Sequence, residues 1–336
     1  MERVERNPRG PTVLPARRTA REIRRPSASA VPARIVGTLH RRFRAATAAM
    51  LPTQLHLAAT TTEARDRQGD NGLFSLAAPE RLIRFGFKFG KGGAHAARTI
   101  MLKDLSRLLE VTDDAAGREQ YRRAAVDQNV LDKPTRSARA LAFEHLADLY
   151  ALDSRLALFR VFRSLWRTHT EARPVLALSL ALARDAILRA SASTVLDAEP
   201  GARVTRERMA NSLGAWGKGR FSVGSLEAMA QRANGSWTQA GYLTGHVKKI
   251  RSQPVITPEN VTFALFLGYL EGRLAQRLFT SDWVRVLDLP EERLIELTQA
   301  AAQRGLLVFR RTGTVMEVRF PDYLTEQEQE WLSEQA

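Results

Sequence analysis

The sequence predicts a mostly α-helical protein: a helical bundle over residues 73–198, then helix-turn-helix and winged-helix elements over 199–336 with one C-terminal β-hairpin. Three observations predict it. Apolar residues recur at helical spacing from Ala94 to Ala190, and no stretch there alternates like a strand. Gly and Pro gather at Pro200-Gly201 and again between Gly214 and Gly224, which marks a boundary. Past Gly305 the period changes from helical to alternating.

The first half reads as four helices. Ala94–Glu110 places Ile100, Leu102, Leu105, Leu108 and Leu109 on one side. Lys133–Tyr150 opens with Asp132 as its cap and Pro134 in its first turn. Asp153–Thr168 carries Leu156, Phe159, Val161, Phe162, Leu165 and Trp166, and Pro174 opens a helix that continues through Ala190. In the second half, Ser225–Arg232 and Ser236–Arg251 read as helices separated by a break at Asn234-Gly235. Glu259–Leu278, Ser281–Leu287 and Glu291–Arg304 follow, and Leu306–Phe320 reads as two strands joined at Thr312-Gly313.

A length of 336 residues holds about two domains of roughly 100–200 residues each, and 44 % apolar residues support a sizeable core. The absence of cysteine excludes a disulfide scaffold, cysteine-bound zinc, iron–sulfur clusters and a thiol nucleophile, and it suits a cytoplasmic location. The apolar run Val175–Ala183 stops at Arg184, short of the roughly 20 residues a membrane span needs, so no membrane partner is expected. Met1–Ala30 lacks the apolar segment of a secretory signal.

The chain has 44 Arg and 7 Lys against 36 acidic residues, a net charge of +15. Through Arg44 it has 12 Arg and 3 Glu, and the remaining 292 residues carry only +6. Residues 1–72 therefore read as a disordered basic arm suited to nucleic acid. The competing reading is a mis-assigned start, with translation beginning at Met50.

Four stretches bear on chemistry. On Ser236–Arg251, Trp237, Ala240, Leu243, Val247 and Ile250 share one face. Thr238, Tyr242, Gly245 and Lys249 lie opposite, with His246 and Lys248 flanking and Arg251 at the end. Hydroxyls, a small residue and cations on one face fit a helix that meets double-stranded DNA. They also fit a solvated amphipathic helix with C-terminal cations. Three helices and a hairpin over 258–320 have the order of a winged helix, with Arg310, Arg311 and Arg319 on the wing. Its third helix exposes Glu292, Glu296, Gln299 and Gln303, which suits protein contact as well as DNA. Gly86–Gly93 fails the phosphate-loop pattern and reads as a tight turn into a helix. Arg136 and Arg139 share a helical face, either to hold phosphate or as solvated charges.

No catalytic or metal-ligating constellation is visible, and no cofactor is expected. The six histidines lack metal spacing and read singly as surface or core residues.

Two stretches are similar to the BrxA-type accessory proteins of BREX phage-exclusion systems. One is Gly90-Lys-Gly-Gly93 leading into Ile100-Met-Leu-Lys-Asp-Leu-Ser-Arg-Leu-Leu109. The other is Gln128-Asn-Val-Leu-Asp-Lys133 followed by Thr135-Arg-Ser137, and Ser236-Trp-Thr238 is a weaker echo. The chain departs from the family in its basic arm and larger C-terminal half. The resemblance implies a non-enzymatic, mostly helical, cytoplasmic bacterial DNA-binding accessory protein of antiviral defence. Such a protein acts beside a methyltransferase, an ATPase and a phosphatase-like protein. Two alternatives are a scaffold subunit of the defence complex and a winged-helix regulator of its locus.

Overall fold

A computed structural model describes residues 74, 79–90, 92–313 and 315–334, all within one unit of the chain. The predicted basic arm, the alternative start at Met50 and Lys91 of the glycine-rich turn lie outside the described residues.

The first helices are α1 (Pro79–Phe85), α2 (Leu102–Glu110) and α3 (Arg118–Arg122), the last continuing into a π-helical turn at Arg123–Asp127. Then come α4 (Arg136–Tyr150), α5 (Ala157–Thr168), α6 (Arg173–Arg184), α7 (Ala186–Ala190) and α8 (Ala192–Leu196). The helix expected from Ala94 starts only at Leu102, because Met101 adopts φ 49° and the Ile100 N–H is drawn to Ser236 Oγ. The next starts at Arg136, not Lys133. Thr135 is its cap, accepting from the Ala138 N–H, while Asp132 sits at φ 55°. The helix that Pro174 opens is cut at Asp185, whose carboxylate caps α7 by accepting from the Leu188 N–H.

The second half holds α9 (Arg206–Gly217), α10 (Val223–Gln239), a hairpin of β1 (Leu243–Thr244) and β2 (Ile250–Arg251), and α11 (Pro258–Leu270). It continues with α12 (Gln276–Phe279), α13 (Asp282–Val286), α14 (Glu291–Gln303), β3 (Val308–Thr312), β4 (Val315–Arg319) and α15 (Glu326–Ser333). The protein is mostly helical, with two small antiparallel hairpins where the sequence predicts one. The β3–β4 hairpin pairs Val308 with Arg319 and Thr312 with Val315.

One buried apolar cluster runs from Phe74 to Leu324. Its centre is α11, buried on every side except at Tyr269 and packed against α5, α6, α13 and α14. A helix apolar all round is stable only when it is enclosed in this way. Asn260 at its start donates to the Ala172 carbonyl, which ties it to the first half.

Just past α11, Glu271 accepts from Trp283 Nε1 at 2.6 Å, and Trp283 packs on Phe74 and Phe87. Burial pushes the Glu271 carboxyl from 4.5 up to about 7, against the pull of the Trp283 N–H and Arg273. The folded state therefore keeps this proton between pH 4.5 and 7 where the unfolded chain has lost it. Stability is highest below 4.5 at this group and declines as pH rises to 7, by about 3 kcal/mol in all. Glu271→Gln is expected to melt higher than the native chain at pH 8 and level with it at pH 5. An equal gap at both values would contradict the assignment.

Candidate nucleic-acid interface

The break predicted at Asn234-Gly235 does not form, and α10 runs through it. Ser236 Oγ donates to the Arg232 carbonyl and Thr238 Oγ1 to the Asn234 carbonyl, so both hydroxyls bond back along the helix and cap nothing. The segment predicted as a second helix is a hairpin. The helix-turn-helix expected over 225–251 is replaced by α9 and α10, joined at Lys218–Ser222, with the hairpin after them.

Residues 201–204 line the free side of that hairpin. Arg203 bridges Ile250, the Arg251 N–H donates to the Ala202 carbonyl, and the Val204 N–H donates to the Lys249 carbonyl. The order is short helices, strand segment, helix, helix, strand, strand, with the first strand segment paired to the last strand. Gly245 shapes the hairpin tip: its φ is +86°, and an added Cβ would meet the Lys248 carbonyl at 2.2 Å. Lys249 Nζ donates to the Gly245 carbonyl and closes the loop.

The tip stands in solvent. Thr244, Gly245, His246, Val247 and Lys248 are exposed, Val247 by 86 %, and Lys249 is half-exposed. No Asp or Glu occurs from Tyr242 to Ile256. Arg203, Arg206 and Arg208 are exposed beside it, with Glu207 among them, and Lys218 is exposed in the α9–α10 turn. The N-terminal half of α10 exposes Ser222, Val223, Gly224, Ser225, Glu227 and Gln231. Its C-terminal half is covered, since Gln239 bonds the Leu102 N–H and Thr99 Oγ1, and Ser236 bonds Ile100.

The predicted contact residues separate into two groups. His246, Lys248 and Lys249 meet on the tip. Tyr242 does not reach the surface: it is buried edge-on against Trp237, its hydroxyl donates to the Val286 carbonyl at 2.6 Å, and burial raises its pKa far above the ordinary value. Arg251 is buried too. It donates to the Val195 carbonyl at 2.9 Å, to the Tyr242 and Ser252 carbonyls, and to Asp288. Thr238 is half-buried. Arg136 is exposed but paired with Asp127 at 3.0 Å. Arg139 does not share its open face; it donates to the Lys133 and Val126 carbonyls and braces the turn after the π segment. Arg310 and Arg311 are exposed on β3, separate from the first hairpin in sequence.

One polar cluster was invisible to sequence reasoning. His95 Nε2 lies 2.7 Å from Ser236 Oγ, and Nδ1 lies 3.0 Å from Asp185 Oδ2. Ser, His and Asp stand in the order of a hydrolytic triad, yet all three are buried, and Ser236 Oγ already serves the Ile100 N–H and the Arg232 carbonyl. Burial pushes the Asp185 carboxyl up, but His95 and the N–H groups of Leu188 and His95 outweigh it and hold it below its usual range. Gly93 makes room, since an added Cβ would lie 2.4 Å from that carboxylate. The cluster locks residues 93–100 onto α7 and α10. Asp185 and Ser236 lie 90 and 141 positions from His95, so no local pattern announces them. Among the described residues, no group of His, Asp and Glu could hold a metal ion, and no helix is long and apolar enough to cross a membrane.

Comparison with protein-family models, with curated proteins and with solved structures finds no match for this chain.

Proposed function

We propose that residues 186–251 form a winged-helix module that binds double-stranded DNA, with α10 as its groove-facing helix and the β1–β2 hairpin as its wing. The observation that carries this reading is the hairpin itself. An exposed tip bearing His246, Lys248 and Lys249, free of carboxylates, projects from a frame in which residues 202–204 pair with the last strand. Cations on such a tip hold phosphates, and an exposed apolar residue such as Val247 suits a shallow groove. The small polar N-terminal end of α10 is the part free to approach base edges, as recognition helices do.

The wider reading is a non-catalytic, cytoplasmic accessory protein of a BREX-like phage-defence system. It rests on the resemblance within residues 86–150, which supplies a defence methyltransferase or ATPase as the partner. Gly93 and Asn129 in those motifs do structural work, one admitting Asp185 and the other accepting from the Lys133 N–H.

A second reading has its own observation. α11, α13, α14 and the β3–β4 hairpin repeat the winged-helix order, but α14 turns Glu291, Glu292 and Glu296 outward. Glu296 is paired with Arg293, but Glu291 and Glu292 on that helix repel phosphate, so this half is suited to protein contact in a scaffold.

The test is duplex binding by the full chain across a salt series. Lys248→Ala with Lys249→Ala is expected to weaken binding about tenfold near 100 mM salt and to lower the salt slope by roughly two. Arg136→Ala, already neutralised by Asp127, is expected to leave the slope unchanged. An unchanged slope in the folded double variant removes the hairpin from the interface.

A further inference from the structure

A groove of about 670 Å³ lies between the β3–β4 hairpin, the end of α11 and α15. Leu274, Val308, Leu324 and Leu332 line it, and two of these remain open, Leu274 by 59 % and Val308 by 38 %. The charged side chains lining it are Arg310 and Arg319. Val308 pairs with Arg319 across the hairpin and Arg310 follows two positions on, so all three project from one face. Arg319 is ion-paired with Glu317, which stands across the hairpin from Arg310 on the same face, and Arg310 has no side-chain partner among the described residues.

Open aliphatic side chains beside Arg310, a guanidinium with no ion-pair partner among the described residues, suit the docking of a ligand that is both apolar and anionic. Nucleobases would need open ring faces for stacking. The rings here are engaged with one another: Phe320 packs on Tyr269 at 5.3 Å and on Tyr323 at 5.8 Å. An aliphatic floor with arginines at its rim instead complements aliphatic anchors interleaved with carboxylates.

We propose that this groove docks a short, acidic, amphipathic segment of a partner protein, with its aliphatic side chains over Leu274 and Val308 and its carboxylates on Arg310 and Arg319. It operates independently of the β1–β2 wing.

The experiment selects displayed 12-residue peptides against the full chain. The enriched peptides are then measured by fluorescence anisotropy on the native protein, on Leu274→Asp and on Arg310→Glu with Arg319→Glu. Enriched peptides are expected to interleave aliphatic and acidic residues and to lose at least tenfold in affinity on each variant, while duplex binding by Leu274→Asp stays at the native level. Should Leu274→Asp fail to fold, the exposed arginine pair decides. Failure to enrich peptides, peptides without carboxylates, or affinity insensitive to the arginine pair each overturns the proposal. So does a loss of duplex affinity in the arginine variant with peptide binding intact, which assigns the face to DNA. Self-association of the native chain that Leu274→Asp abolishes assigns the groove to a second copy and overturns it as well.

Discussion

Arg251→Ala is expected to lower the stability of the fold by about 3 kcal/mol, a melting shift of roughly 6–12 °C, without acting through DNA. The side chain is 1 % exposed, and its guanidinium holds α8, the base of the hairpin and the α13–α14 turn together through Val195, Tyr242, Ser252 and Asp288. It also lies 5.4 Å from the centre of the Tyr242 ring. Removing it strands several carbonyl oxygens and one carboxylate. Asp288 is a third exposed and recovers some water, which keeps the loss at the low end for a broken buried pair. Lys248→Ala, at the exposed tip, is expected to melt with the native chain. Thermal denaturation of both variants separates the two roles. An Arg251→Ala chain that melts normally yet binds duplex weakly would return Arg251 to the interface.

Asp185→Ala is expected to cost a similar 2–4 kcal/mol. It leaves the His95 and Leu188 N–H groups without their acceptor and removes the carboxylate that lies 3.0 Å from the buried His95 ring. Because the carboxyl is held below its ordinary pKa, the stability it contributes is present above that value and is lost as pH falls through the folded one. The native chain is therefore expected to be more acid-labile than Asp185→Ala relative to each protein's own stability at pH 7. Gly93→Ala offers a sharper check. Its new methyl collides with the carboxylate, and the collision is absent once Asp185 is Ala. In a double-mutant cycle the pair is expected to cost clearly less than the two single losses added together. Additive losses would mean that Gly93 and Asp185 do not share one site.

Much of the fold was legible. Pro174 at a helix start, the helix opening at Pro258 and the change of period past Gly305 all rest on local chemistry: a fixed φ, amphipathic spacing and alternating side chains. The helix expected over Glu259–Leu278 instead ends at Leu270, and Gln276–Phe279 forms a separate helix after positive-φ turns at Gly272 and Ala275. The cations of the first hairpin were also legible as residue types, since His246, Lys248 and Lys249 cluster within a few positions.

What the sequence by itself determined is therefore the helical class and the small set of basic residues from which an interface can be drawn; the boundary expected at Pro200-Gly201 falls inside one unit that shares a single core. Tertiary structure alone decided which of them face solvent. Trp237, Ala240, Leu243, Val247 and Ile250 keep helical spacing, yet the segment after Gln239 folds as a hairpin, because residues 201–204 offer it a backbone partner that no local period encodes. The same contact turns Arg251 inward, where Asp288 and three carbonyls compensate a charge that would otherwise remain in water. His95, Asp185 and Ser236 meet because α7 and α10 pack against residues 93–100, so the partners are chosen by the fold and not by their spacing along the chain.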